Sequence, residues 1–156
     1  VATHTDITGL TELGHPPTGG WAMQMTEMMV SDFDAAFAFW TSVMGFVPAF
    51  VRPGQRLACV EHPDGAQLMF YERDGDWETG AMERPFGRGI VVQVYVTDAM
   101  AAADRVRAAG LAFYVAPREK WRDWGDRLGG QREFLVQDPD GYLVMVAERI
   151  GERPLP

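Results

Sequence analysis

The segment EHPDGAQLMFYER, Glu61 to Arg73, returns later in the chain as QDPDGYLVMVAER, Gln137 to Arg149. At one constant offset Pro63 matches Pro139, Asp64 matches Asp140, Gly65 matches Gly141, Met69 matches Met145, Glu72 matches Glu148 and Arg73 matches Arg149. In each copy a Pro-Asp-Gly turn feeds a strand whose apolar residues alternate. A turn and strand repeated in this way indicate an internal duplication, so two equivalent modules are expected to share one architecture.

The residues around each copy repeat the same order. MQMTEMMV, Met23 to Val30, is apolar and roughly alternating and predicts a strand. Ser31 and Asp32 can cap a helix, Phe33, Ala36, Phe37, Trp40 and Met44 recur at helical spacing, and Gly45 is placed to stop it. Strands near 47–52, 56–62 and 66–72 follow, separated by Pro53-Gly54 and Pro63-Asp64-Gly65. The second half begins again with IVVQVYV, Ile90 to Val96, then Thr97-Asp98, a helix through Met100, Ala103 and Val106, and a stop at Gly110. Strands near 112–115, 131–137 and 142–148 complete it. Each half reads βαβββ. From Val96 to Pro139 the second copy holds ten more residues than the first does from Val30 to Pro63. They are assigned to an extra loop in PREKWRDWGDRLGG, with Trp121 and Trp124.

Composition bounds the function. The 156 residues suffice for one core-forming domain, and no apolar run approaches the roughly 18 residues of a spanning helix. Residues 1–22 read as a poorly ordered arm without the features of a secretory signal, 23–149 as the domain (modules 23–73 and 90–149, linked by MERPFGRG), and 150–156 as a tail. A single cysteine, Cys59, fits a reducing compartment, so the expected location is cytoplasmic. The net charge of −8 argues against a nucleic-acid partner and suits either solubility or a cationic ligand. No membrane partner is expected.

The ordered motifs VSDFDAAFAFWTSVMGF, RPFGRGIVVQVYVTD, RAAGLAFYVAP and QREFLVQDPDGYLVMVAE resemble the vicinal-oxygen-chelate superfamily, which includes glyoxalase I, extradiol dioxygenases and bleomycin-resistance proteins. The resemblance covers about Met23 to Arg149. It implies an α+β fold of two tandem βαβββ modules, forming a curled mixed sheet around a groove, and a homodimer. It also implies metal-ligand positions on the groove side of the first and last strand of each module. Registered on the VSD and VTD motifs and the two Pro-Asp-Gly turns, those positions fall at Met25, Met69, Val91 and Met145, none of them an oxygen or imidazole ligand. Of the three histidines, His4 and His15 lie in the arm and His62 beside a turn. No metal and no cofactor are therefore expected. A one-residue slip would turn Glu72 or Gln24 onto the groove side, reversing every side chain of the strand.

Period-two alternation then names the groove lining: Met25, Glu27 and Met29; Gln67, Met69 and Tyr71; Val91, Gln93 and Tyr95; Leu143, Met145 and Ala147. Val92, Val94, Val96, Leu68, Phe70, Val144 and Val146 are expected to face the helices. The pattern Arg132-Glu133-Phe134 before Asp-Pro-Asp-Gly resembles most the bleomycin-resistance branch, whose members bind a drug without transforming it. The tryptophan that often precedes that motif is replaced around Gly129-Gly130-Gln131, and Trp121 and Trp124 are candidates to restore its aromatic surface.

Two functions are compatible with this reading. One is a metal-free binding protein for a bulky aromatic or cationic antibiotic, with Glu27, Asp123 and Asp126 supplying charge and Tyr71, Tyr95, Trp121 and Trp124 stacking on the ligand. The other is a glyoxalase-like lyase or isomerase in which a buried Glu27 is the general base and Gln93 orients the substrate. The methionines fit a groove that adapts to its ligand and equally a packed barrel.

Overall fold

A computed structural model describes residues 16–156, together with the backbone of Leu13–Gly14. The chain forms two compact units: Val1–Phe86 with the turn Asp138–Gly141, and Gly87–Gln137 with Tyr142–Pro156. Among the described residues no helix is long and apolar enough to cross a membrane.

Unit 1 carries a sheet of β1 (Leu13–Gly14), β2 (Thr26–Val30), β3 (Val47–Arg52), β4 (Leu57–Glu61) and β5 (Gln67–Glu72). Its order is β1-β3-β4-β5-β2, with β2 parallel to β5 and the other pairs antiparallel. Between β2 and β3 runs α1 (Phe33–Ala38), which continues as a π-helical turn over Phe39–Val43. The helix starts where its cap stands: Asp32 Oδ1 accepts from Ala35 N–H at 3.1 Å. It ends at Gly45, φ +83°. The single α-helix expected through Met44 is therefore half π. The Thr41 hydroxyl bonds back to the Phe37 carbonyl at 2.6 Å, and the wider winding accompanies burial of both adjacent rings, Phe39 and Trp40.

Unit 2 repeats the plan with β6 (Val91–Tyr95), α2 (Ala99–Ala108), β7 (Phe113–Asp123), β8 (Leu128–Gln137) and β9 (Leu143–Arg153), in the order β6-β9-β8-β7 and with β6 parallel to β9. Asp98 caps α2 through Ala101 N–H at 2.9 Å. Both sheets are mixed, and the fold is α+β with two βαβββ modules.

The duplicated carboxylates have a shared structural task. Glu72 accepts from the first helical N–H, that of Phe33, at 3.0 Å, and Glu148 accepts from that of Ala99 at 3.0 Å. Each also holds an arginine, Arg56 and Arg132, which keep the repeat's offset. A carboxylate at the positive end of a helix satisfies donors that the helix itself cannot. Glu72 thus lies on the helix side of its sheet, and the slipped register is excluded. Met28, Val30, Leu68 and Phe70 are buried in unit 1, and Val94, Val96, Val144 and Val146 in unit 2, while Val92 is half-buried. These are the faces the alternation predicts.

Two expectations are corrected. The ten extra residues are not a loop: they extend β7 and β8 into a long hairpin paired from Phe113↔Val136 to Asp123↔Leu128. Their alternation was concealed because Arg118, Lys120 and Arg122 alternate with Glu119 and Asp123, so that neither face reads as apolar. β9 correspondingly runs on to Arg153, four residues beyond Arg149. Nor are residues 16–20 unfixed. Thr18 donates to Glu61 through its N–H at 2.9 Å and its hydroxyl at 2.6 Å, and Gln67 donates to the Gly20 carbonyl at 2.7 Å while accepting from Ala22 N–H at 2.9 Å. His4 and His15 lie outside the described residues.

Candidate functional site

The side of each sheet away from its helix carries the residues named as groove lining. In unit 1 the register sets Glu27 beside Met69 and Met69 beside Cys59, and sets Met29 beside Tyr71 and Tyr71 beside Leu57. The first of these rows is closed over at Met69 and Cys59, while Glu27 at its end stays exposed. Ala49, Phe50 and Cys59 form a buried cluster against which Met25, Leu57 and Met69 pack, and the Trp21 ring meets Phe50 edge-on at 6.0 Å. Gln67, already bound to Gly20 and Ala22, completes that cover.

The second row opens into a cavity of about 530 Å³ lined by Glu27, Leu57, Tyr71, Asp74 and Trp77, with Arg56, Glu72 and Arg73 at its rim and Gly54-Gln55 beside them. Two tight backbone positions shape it: Arg56 at φ 51° and Trp77 at φ 64°. Bulky side chains rarely adopt that region, so Trp77 is held in a strained conformation, and the residue is 82% exposed. Its two cations are occupied, Arg56 by Asp34 and Glu72 and Arg73 by Glu78. Among the described residues no cation pairs with Glu27 or Asp74. Partial desolvation pushes the Tyr71 phenol above its ordinary range, and the charges of Asp74, Glu27, Asp76 and Glu78 push it further. Its hydroxyl donates to the Asp76 carbonyl at 3.2 Å.

In unit 2 the same side presents two adjacent rows, Gln93–Met145–Leu135–Val115 and Tyr95–Ala147–Glu133–Arg118. Val91 and Leu143 pair in the next row. Trp121 and Trp124 lie over adjacent glycines of β8, Trp124 where a Cβ on Gly129 would stand and Trp121 where one on Gly130 would stand. Adjacent strand residues face opposite ways, so the two indoles cover opposite faces of the hairpin, and only Trp124 shares the face of Tyr95. Arg149 lies over Trp124 at 5.6 Å and Arg153 over Trp121 at 4.1 Å. Asp126 is tied to Arg127, and Asp123 accepts from the hairpin-turn amide of Gly125 at 2.7 Å. Sequence reasoning missed Trp77, Asp74 and Leu57: Trp77 follows the repeat in a turn without periodicity, and Leu57 belongs to a strand left out of the lining.

A model of the Glyoxalase/Bleomycin resistance protein/Dioxygenase superfamily matches residues 22–146. The chain belongs to this superfamily. Solved structures with the same fold include a virulence protein of Salmonella typhimurium, 18% identical over 83% of this chain and 98% of the other, with a TM-score of 0.60. TioX from Micromonospora sp. is 22% identical over 83% of this chain and 100% of its own, TM-score 0.62. A glyoxalase/dioxygenase from Nostoc punctiforme is 16% identical over 83% and 92%, TM-score 0.60. At these identities the likeness bears on the fold alone. Among curated protein sequences none matches.

Superfamily enzymes use a divalent metal, and the residues here do not fit one. The four implied ligand positions offer three thioethers and a valine, with Met25 and Met69 packed into the apolar cluster. Ions of the Zn or Fe class need nitrogen, oxygen or thiolate donors. Among the described residues no three His, Cys, Asp or Glu side chains converge as such a group. His62 Nδ1 accepts from the Asp64 N–H in its turn at 3.1 Å. Glu27, pictured as a buried base, is exposed, and so is Gln93.

Cys59 gives a direct check on the covered row. Burial, with a contribution from Glu61, pushes its thiol up to about 11. At pH 8 the native thiol is expected to leave Ellman's reagent unreacted, while the guanidinium-unfolded chain reacts with one equivalent. Rapid reaction of the native protein would show that the Trp21–Phe50 cover does not persist.

Proposed function

We propose that this superfamily member is a binding protein that sequesters a bulky, aromatic, cationic small molecule of the antibiotic type and releases it chemically unchanged. The observation that carries the proposal is the unit 1 cavity. Its size suits a drug-sized ligand or part of a larger one, and Tyr71, Trp77 and Leu57 offer stacking and apolar area beside the carboxylates of Glu27 and Asp74, with which no cation pairs among the described residues. Unit 1 as a whole contains fourteen acidic and four basic side chains, whereas unit 2 contains eight and ten, so the acidic excess of the chain belongs to the unit that carries this cavity. A cation placed between Trp77 and Glu27 gains both ring quadrupole and charge. The Arg132-Glu133-Phe134 and Asp-Pro-Asp-Gly pattern supports the bleomycin-resistance branch within the superfamily. The homodimer belongs to the same proposal, with Ile90, Val91 and Tyr95 exposed on and beside the edge strand β6.

Titration with metal-free bleomycin is expected to change tryptophan fluorescence saturably, and the drug should be recovered intact. Trp77→Ala is expected to weaken binding by about 1–3 kcal/mol, as loss of an aromatic anchor does. Glu27→Gln should weaken it less and reduce its salt dependence. Absence of saturation with several cationic aromatic drugs would remove the proposal, and consumption of a ligand would favour the glyoxalase-like alternative.

A further inference from the structure

Glu133 is a charged side chain with no exposed surface, on the sheet face opposite the helix. Burying a lone carboxylate is costly, and this one is matched by two arginines. Arg118 donates to Oε1 from Nη2 at 3.0 Å and from Nε at 3.2 Å, and Arg122 donates to Oε2 at 2.7 Å. Arg122 is fixed a second time by Gln131 Oε1 at 2.8 Å, whose amide nitrogen donates to the Tyr95 hydroxyl at 2.7 Å. Two cations therefore share one anion, and the two arginine side chains stay 48% and 37% exposed. The pairings Arg118↔Glu133, Lys120↔Gln131 and Gln131↔Arg149 put Lys120 and Arg149 on the same face. Along β7 to β9 that face thus carries Arg118, Lys120, Arg122 and Arg149 against Glu133 and, across Gly129 from Arg122, Glu152, which pairs with Arg127, in a chain whose net charge is −8. The neighbouring row is Gln93–Met145–Leu135–Val115, apolar at its centre and about 7 Å along the strands.

From this arrangement we infer that the open face of the second sheet binds an amphiphilic carboxylate. Its anionic head is held by the pre-set Arg118 and Arg122, and its apolar body lies on Met145 and Leu135. Each guanidinium has five N–H donors, and the bonds to Glu133 and Gln131 leave donors on both. Glu133 acts as the brace that keeps two like charges parallel and immobile, so little rotamer entropy remains to be lost on binding. The planar fork favours a carboxylate that can accept two parallel bonds. The site stands on different residues from the acidic cavity and does not depend on the antibiotic proposal.

The test uses 4-phenylbutyrate on the full chain, with 4-phenylbutyramide as its neutral counterpart and phenyl phosphate as a second anion. Saturable calorimetric binding of the butyrate, at least tenfold tighter than that of the amide, is expected, with shifts confined to the Arg118 and Arg122 Nε–H resonances and those of Tyr95 and Met145. Arg118→Gln leaves Glu133 paired to Arg122 and should lower butyrate affinity about tenfold without changing the amide. Should that variant not fold, the wild-type resonance shifts decide alone. Equal binding of acid and amide, or shifts elsewhere only, overturns the inference, and tighter binding of phenyl phosphate overturns the carboxylate assignment. Bleomycin binding without butyrate binding would refute this site and leave the cavity proposal intact.

Discussion

Gly141→Ala is expected to destabilise the protein by about 3 kcal/mol or more, whereas Gly65→Ala, the same substitution in the equivalent turn, should cost only about 1–2 kcal/mol. Both glycines have positive φ, +93° and +101°, so both substitutions meet the same left-handed penalty. Their surroundings differ. A Cβ on Gly65 would meet nothing within 4 Å, and its N–H simply closes the turn on His62 at 2.8 Å. A Cβ on Gly141 would stand 2.6 Å from Pro85 Cβ and 2.8 Å from its backbone Cα, which cannot rotate aside. The turn itself is anchored: buried Asp140 accepts from Ser31 N–H at 2.7 Å and from the Ser31 hydroxyl, and pairs with Arg84 at 2.8 Å. Arg84 also donates to the Pro139 carbonyl at 2.6 Å, and Phe86 N–H to that of Asp140 at 2.9 Å. Relaxation by moving the turn would break these bonds. Urea unfolding of the two variants measures the difference directly, and equal losses would show that the Pro85 contact is not retained.

That contrast marks how much of the molecule the sequence reveals. The repeat, the caps Asp32 and Asp98, the stops Gly45 and Gly110 and the inward faces of β2, β5, β6 and β9 are local or periodic signals, and they appear where the residues predict them. Identical Pro-Asp-Gly turns with unequal packing are not distinguishable in sequence, because the difference comes from Pro85 and Ser31, remote in the chain. The candidate site divides in the same way. Alternation named Glu27 and Tyr71 because they lie on strands, but Trp77 is placed by a turn at positive φ, and the cover over the Phe50 cluster comes from Trp21 and from Gln67 held by Ala22 and Gly20. Charges concealed the extension of β7: Arg118, Glu119 and Lys120 are exposed in succession and leave no apolar period to read.

Glu133→Ala should be the most damaging single loss of a polar group, about 3–5 kcal/mol, because it removes one partner of a buried pair and leaves the other charges without it. Arg118 and Arg122 are brought onto one carboxylate by their places on β7, and truncation leaves two guanidinium groups facing one another over a void beside Ala147, which is fully buried. Two terms of different origin then add, repulsion between partly exposed cations and the cavity. They can be separated. Salt screens the first and not the second, so 0.5 M NaCl should recover part of the loss in Glu133→Ala and little of the loss in an apolar truncation such as Leu135→Ala. Arg122→Gln made in the Glu133→Ala background should cost less than in the wild type, or stabilise, since the substitution then relieves repulsion instead of breaking a pair. Losses below about 1 kcal/mol, with no change in salt dependence, would show that the arginines turn to solvent without cost and that Glu133 does not brace them.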